Sequence, residues 1–166
     1  LGGLMAGLFL GIGMFGPSGG LNNDDLETLA IDSHLYYLDQ GKNAAEGGND
    51  DFEKNMLWLQ KRWGTQVKAF DISENSKFRK KGATLLPTLN DYASLQVFEN
   101  YNEERITLYV SRAIDDDVTN SRIRCHIPTN VDGLCSWIKD SLNYIAVGNL
   151  SLSRIRLFST LIAAES

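Results

Sequence analysis

Residues 1–23 carry no charged side chain, and Leu1 to Gly16 reads LGGLMAGLFLGIGMFG, without one strongly polar group. That head constrains the chain more than any other feature. A helix crossing a bilayer needs about 20 apolar residues. Sixteen fall short, but the chain begins with Leu1 rather than Met, so the expectation is a span truncated at its start. A buried core helix is disfavoured, because six glycines in sixteen residues weaken a helix in water. A signal peptide would show a basic n-region and an A-x-A cleavage site, and neither is visible. A transmembrane helix over 1–16 fits best, since glycine is tolerated in lipid and lets helices approach closely. Gly3, Gly7 and Gly11 form two overlapping G-x-x-x-G steps, a helix-packing pattern that suggests a homodimer.

Pro17-Ser18-Gly19-Gly20 breaks the helix and opens a linker over 17–23. Asp24, Asp25 and Glu27 follow, with no Lys or Arg before Lys42. The positive-inside rule places basic residues on the cytoplasmic flank, so residues 17–166 are expected outside the cytoplasm.

Residues 24–166 have the composition of one folded domain. The chain has 166 residues, 43% hydrophobic and 22% charged, which excludes disorder throughout. A net charge of −5 excludes a nucleic-acid binder that relies on counterion release. Two cysteines are too few for a disulfide-built miniprotein.

Leu26, Leu29, Ala30, Ser33, Tyr36 and Tyr37 give a helical stripe over 24–38. Residues 41–49 read as a loop. Asn49 or Asp50 caps a second helix, with Asp50 and Glu53 spaced as a capping box. Phe52, Met56, Leu59 and Trp63 line one face of it, and Gly64 ends it. The period then shortens. Strands are expected over 65–70 and 83–86, separated by a polar connection at 78–82. A hairpin is expected over 92–99 and 105–112, with Ala93, Leu95 and Val97 alternating in one arm and Ile106, Leu108 and Val110 in the other. A second hairpin pairs 121–127 with 133–139, and 143–147 is the last strand. Ser151 or Ser153 caps a terminal helix with Leu152, Ile155, Phe158 and Ile162 on one face. The fold class is α+β: one small domain with a mainly antiparallel sheet, flanking helices and a C-terminal helix.

Residues able to carry chemistry are few. His34 and His126 are the two histidines, and neither belongs to a zinc-protease motif. No P-loop, G-x-G-x-x-G or G-x-S-x-G is present. An enzyme is not expected, and no cofactor, metal or small-molecule substrate is indicated. Cys125 and Cys135 sit opposite each other if the hairpin turn centres near Asn130. They are open to three readings: a disulfide, two free buried thiols, or a metal site with a histidine. Adjacent Cys125 and His126 point to opposite faces of a strand, which disfavours the metal. Asp115-Asp116-Asp117 lacks the spaced oxygens and glycine of a calcium loop and reads as a solvated loop. Arg79-Lys80-Lys81 reads as a solvated basic cluster.

Four stretches occur in a recognisable order. His34-Leu35-Tyr36 comes first. Trp58-Leu59-Gln60-Lys61-Arg62-Trp63-Gly64 fits W-L-x-x-R-h-G, where h is apolar, and Asp71-Ile72-Ser73 follows it. Gly82-Ala83-Thr84-Leu85-Leu86-Pro87 fits G-x-x-L-L-P and leads to Arg105-Ile106-Thr107-Leu108-Tyr109-Val110. Trp137 precedes Leu142-Asn143-Tyr144-Ile145-Ala146-Val147-Gly148-Asn149-Leu150. In these stretches, which cover most of 34–162, the chain resembles the extracytoplasmic domain of bacterial transmembrane anti-sigma factors. It departs from that pattern at 39–50 and at 113–128, which includes Cys125.

The resemblance implies a single-pass protein of the bacterial inner membrane. Its outer domain would control release of an alternative sigma factor held by a cytoplasmic domain lying before Leu1. It carries over no catalytic residue. The alternative is a periplasmic, membrane-tethered module that binds a ligand or another protein.

Overall fold

The computed structural model describes residues 22–39, 49–72, 76–88, 91–115 and 117–166, with side chains from 53 onwards in the second of these segments. The span expected over 1–16 with Gly3, Gly7 and Gly11, the linker to residue 21, the loop to residue 48, and Asp50, Phe52, Ser73 and Asp116 lie outside that description. Among the described residues, no helix is long and apolar enough to cross a membrane.

Helix α1 spans Asn23–Asp39, one residue into the expected linker. Its start is fixed by a reciprocal pair. The Asp25 N–H donates to Asn22 Oδ1 at 3.0 Å, and the Asn22 N–H donates to Asp25 Oδ2 at 2.9 Å. This is a capping box built from Asn and Asp. Helix α2 spans Asn49–Trp63. Gly64 ends it at φ +67°, and its N–H donates to the Gln60 carbonyl at 3.0 Å. A left-handed residue there costs glycine little.

Six strands follow: β1 (Arg79–Pro87), β2 (Tyr92–Glu99), β3 (Arg105–Arg112), β4 (Arg124–His126), β5 (Gly133–Lys139) and β6 (Leu142–Gly148). Helix α3 (Leu152–Glu165) closes the described chain. The strands form one antiparallel sheet in the order β1-β2-β3-β6-β5-β4. The domain is therefore α+β, with a six-stranded antiparallel sheet and three helices.

Both faces of the sheet are covered. Leu26 and Ala30 of α1 pack with Leu95, Tyr109, Leu134, Ile145 and Val147 on one face. Met56, Leu59 and Trp63 of α2 and Ile155, Phe158 and Ile162 of α3 pack with Phe98, Ile106, Leu108, Trp137 and Tyr144 on the other. The register pairs Leu95 with Tyr109 and Phe98 with Ile106. The alternation of Leu95 in β2 and that of Leu108 in β3 therefore point to opposite layers, because paired residues share a face.

Three local expectations are corrected. The strand expected over 65–70 does not form. Val67, Phe70 and Ile72 are buried, but the buried Gln96 side chain supplies the hydrogen bonds that a neighbouring strand would. Its Oε1 accepts from the Phe70 N–H at 3.4 Å, and its Nε2 donates to the Lys68 carbonyl at 3.2 Å. The basic cluster at 79–81 is no connection but the first part of β1. The ladder slips between Lys80 and Gly82, which leaves Lys81 as a bulge. Strand β4 keeps three residues of the expected seven. Ser121 still meets Ile138 through two hydrogen bonds of 2.8 Å.

The β5–β6 turn uses Asp140 and Ser141 at φ +51° and +61°, with Lys139 paired to Leu142. Positive φ at both central residues is the primed hairpin turn that matches strand twist. That turn also anchors the chain returning from β3. The Ala113 N–H donates to the Ser141 carbonyl, and the Ser141 N–H donates to the Thr119 carbonyl.

Candidate functional site

Helix α1 is the described element nearest the chargeless head in sequence, and both histidines lie where it docks, while the Cys125–Cys135 pair packs on the opposite, α2–α3 face of the sheet. His34 is on its inner face with no exposed surface. Its Nδ1 lies 2.7 Å from Thr107 Oγ1 of β3, while its Nε2 is buried with no hydrogen-bond partner among the described residues. Burial, and after it the Arg105 charge, lowers the imidazole from 6.5 to about 4, because both disfavour imidazolium. Tyr109, two residues along β3 on the same sheet face, has a buried hydroxyl without a hydrogen-bond partner among the described residues. Burial pushes its phenol up to about 12. One turn beyond His34, the Tyr37 carbonyl accepts from Arg105 Nη1 at 3.3 Å. Arg105 Nε donates to Glu99 Oε2 at 2.9 Å.

Two turns earlier, Glu27 reaches the far edge of the sheet. Its Oε1 accepts from Ser136 Oγ of β5 at 3.1 Å. Its Oε2 lies 3.3 Å from His126 Nε2 of β4. Cys125, next to His126, is joined to Cys135 by a disulfide, and the two residues are direct cross-strand partners. No free cysteine is present among the described residues. Sequence reasoning singled out His34, His126, Cys125 and Cys135. It did not identify Glu27, Ser136, Thr107 or Arg105, whose roles depend on contacts between distant segments.

A second cluster sits at the end of α2. Asp91, in the β1–β2 turn, accepts from Trp63 Nε1 at 3.0 Å and also from Arg62 Nε. The Arg62 guanidinium lies 5.5 Å from the Trp58 ring centre and 6.0 Å from that of Tyr92. Those two rings meet edge to face at 5.0 Å. An open depression of about 350 Å³ at the end of α2 is lined by Leu57, Gln60, Lys61, Gly64, Thr65 and Gln66. Lys61 is its one ionisable group, so the lining contains no acid–base pair.

No group of three or more His, Cys, Asp or Glu residues among those described could hold a metal ion. Asp115 and Asp117 are exposed, and the Asp117 N–H donates to Asp115 Oδ1 at 3.0 Å. In the basic cluster, Lys81 pairs with Glu99 at 3.3 Å, and Arg79 lies over the Tyr101 ring at 4.6 Å. The chain matches no protein-family model, no curated protein and no solved structure.

Proposed function

We propose that this chain is the outer regulatory part of a membrane-anchored, anti-sigma-type protein. In this reading, residues 1–16 belong to a transmembrane helix of the bacterial inner membrane and 17–166 lie outside the cytoplasm. A domain before Leu1 holds a sigma factor. The outer domain acts through α1, which follows the head directly and is seated on the sheet by Leu26, Ala30 and His34. The carrying observation is that the resembling stretches form adjoining parts of one packed unit. Trp58, Arg62, Trp63 and Gly64 make the end of α2, which is tied to the β1–β2 turn just after Pro87. Thr107 receives His34, and Gly148 lies beneath α3. Such residues keep a fold together, and the reading asks only that of them.

The test is affinity purification of the full-length parent protein from membranes. Recovery of a sigma factor, lost when the segment before Leu1 is removed, supports the reading. Recovery of none, or a basic n-region beginning with Met immediately before Leu1, overturns it. The patch of Leu57, Trp58 and Tyr92, with exposures of 59%, 43% and 37%, favours a second reading, a tethered protein-binding module. Aromatic and arginine side chains dominate binding hot spots.

A further inference from the structure

Both histidines of the chain lie at α1, His34 on its inner face and His126 against Glu27. A neutral His34 ring satisfies one nitrogen through Thr107 and leaves the other as a single orphan polar atom. A protonated ring carries two N–H donors and a full charge. Its second donor would be buried with no acceptor, which is far more costly than a neutral orphan. The ionisable groups on the sheet face around it give no compensation. Arg105 of β3 is a cation, and its nearest carboxylate, Glu99 of β2, is already shared by Arg105 and Lys81. Tyr109 of β3 and Tyr37 of α1 are neutral phenols. Strand β6 offers Ile145 and Val147. At the other end of the helix, His126 Nε2 lies 3.3 Å from Glu27 Oε2 and Ser136 Oγ donates to Glu27 Oε1 at 3.1 Å.

We propose that His34 is an acid-sensitive latch: when its ring takes up a proton from solvent, the second half of α1 lifts from the sheet while Glu27 and His126 hold the first half. The use of this movement as a signal to the preceding segment rests on the regulator reading above; the movement itself does not. An imidazole lowered from 6.5 to about 4 binds its proton mainly in the released state, so docking weakens as pH falls below 6.5. Between pH 7.5 and pH 5 the docking equilibrium shifts by about 30-fold. Asp91, Glu99 and Glu104 stay out of that window, because their carboxyls are held below the usual range.

The experiment is amide hydrogen exchange on the full chain in lipid nanodiscs at pH 7.5 and pH 5, corrected for intrinsic rates. Protection over 31–38 is expected to fall by about 30-fold, with α3 unchanged. His34→Gln, which can still hydrogen-bond to Thr107, should abolish the difference, whereas His126→Gln should leave it in place. Parallel loss in α1 and α3, no loss in α1, or full loss in a folded H34Q variant overturns the proposal. Should H34Q not fold, nitrogen-15 NMR of the wild-type imidazoles decides. His34 must protonate together with α1 opening, and a ring that stays neutral while α1 opens overturns the latch. No sigma factor enters these measurements, so failure of the regulator reading and failure of the latch are separately visible.

Discussion

Gly133 and Gly148 face each other across β5 and β6, and the δ-methyl of Ile155 in α3 occupies the notch they leave. A Cβ on Gly133 would lie 2.7 Å from that methyl, and one on Gly148 would lie 3.5 Å from it. Two bare positions in register therefore set how closely α3 approaches the sheet.

Gly133→Ala should overpack this contact and destabilise the domain by about 1–3 kcal/mol. Ile155→Val removes the offending methyl and should cost about 0.5–1.5 kcal/mol alone. Together the two should cost less than their sum, by at least about 0.5 kcal/mol in a double-mutant cycle read by urea unfolding. Simple additivity would refute the notch. Gly148→Ala should not be rescued in this way, because its Cβ also meets the Arg105 carbonyl oxygen at 3.1 Å.

Asp91→Ala should leave the indole N–H of Trp63, 8% exposed, without its acceptor. A loss of about 1–3 kcal/mol is expected, with Asp91→Asn milder because an amide oxygen still accepts. Burial raises the Asp91 carboxyl. Hydrogen bonds from Arg62, the Tyr92 backbone and Trp63, with the Arg62 charge, outweigh it and hold the group below 3.8. A carboxyl depressed in the folded state stabilises above its unfolded value and loses that contribution as pH falls through its folded value. The stability gap between wild type and D91N should therefore be full at pH 6 and shrink below about pH 4. Urea titrations at both pH values check this, and a gap that is independent of pH would contradict it.

The sequence made the two later helices legible because each has one wet face. Met56, Leu59 and Trp63, like Ile155, Phe158 and Ile162, repeat at helical spacing and are buried. The sheet was legible as strands but not as layers. Residues 93–98 and 106–111 are buried on both faces, so alternation could not tell which side a residue faces. Val67, Phe70 and Ile72 mimic a strand, yet their partner is a single glutamine side chain 26 residues beyond Phe70. The site was legible as residue types only. His34 is an unremarkable helix position until Thr107, 73 residues away, is brought beneath it.

Gly64→Ala separates backbone conformation from packing. Nothing among the described residues lies within 4 Å of a Cβ built there, so the cost expected is that of holding a side-chain-bearing residue at φ +67°. A loss of about 1 kcal/mol is expected for alanine and less for asparagine, which tolerates the left-handed region. Thermal unfolding of the two variants gives the order. Alanine as stable as glycine would show that the helix ends differently.

Cys125–Cys135 closes a loop with a sequence separation of 10, and it fastens a three-residue edge strand whose ladder partners are Leu134, Cys135 and Ser136. Loop-closure entropy for that length corresponds to about 3 kcal/mol. Alkylation under denaturing conditions should add no label without reductant and two labels after reduction. Replacing both cysteines with serine should lower the unfolding midpoint and expose the amides of β4 to exchange while those of β6 stay protected, since β6 pairs with β3 and β5 through other residues. The same variant should weaken the Glu27–His126 contact, because β4 is what carries His126 to α1. A variant that keeps β4 protected would show that the strand holds without its covalent link, and loss of protection throughout the sheet would show that the link supports the whole domain rather than its edge.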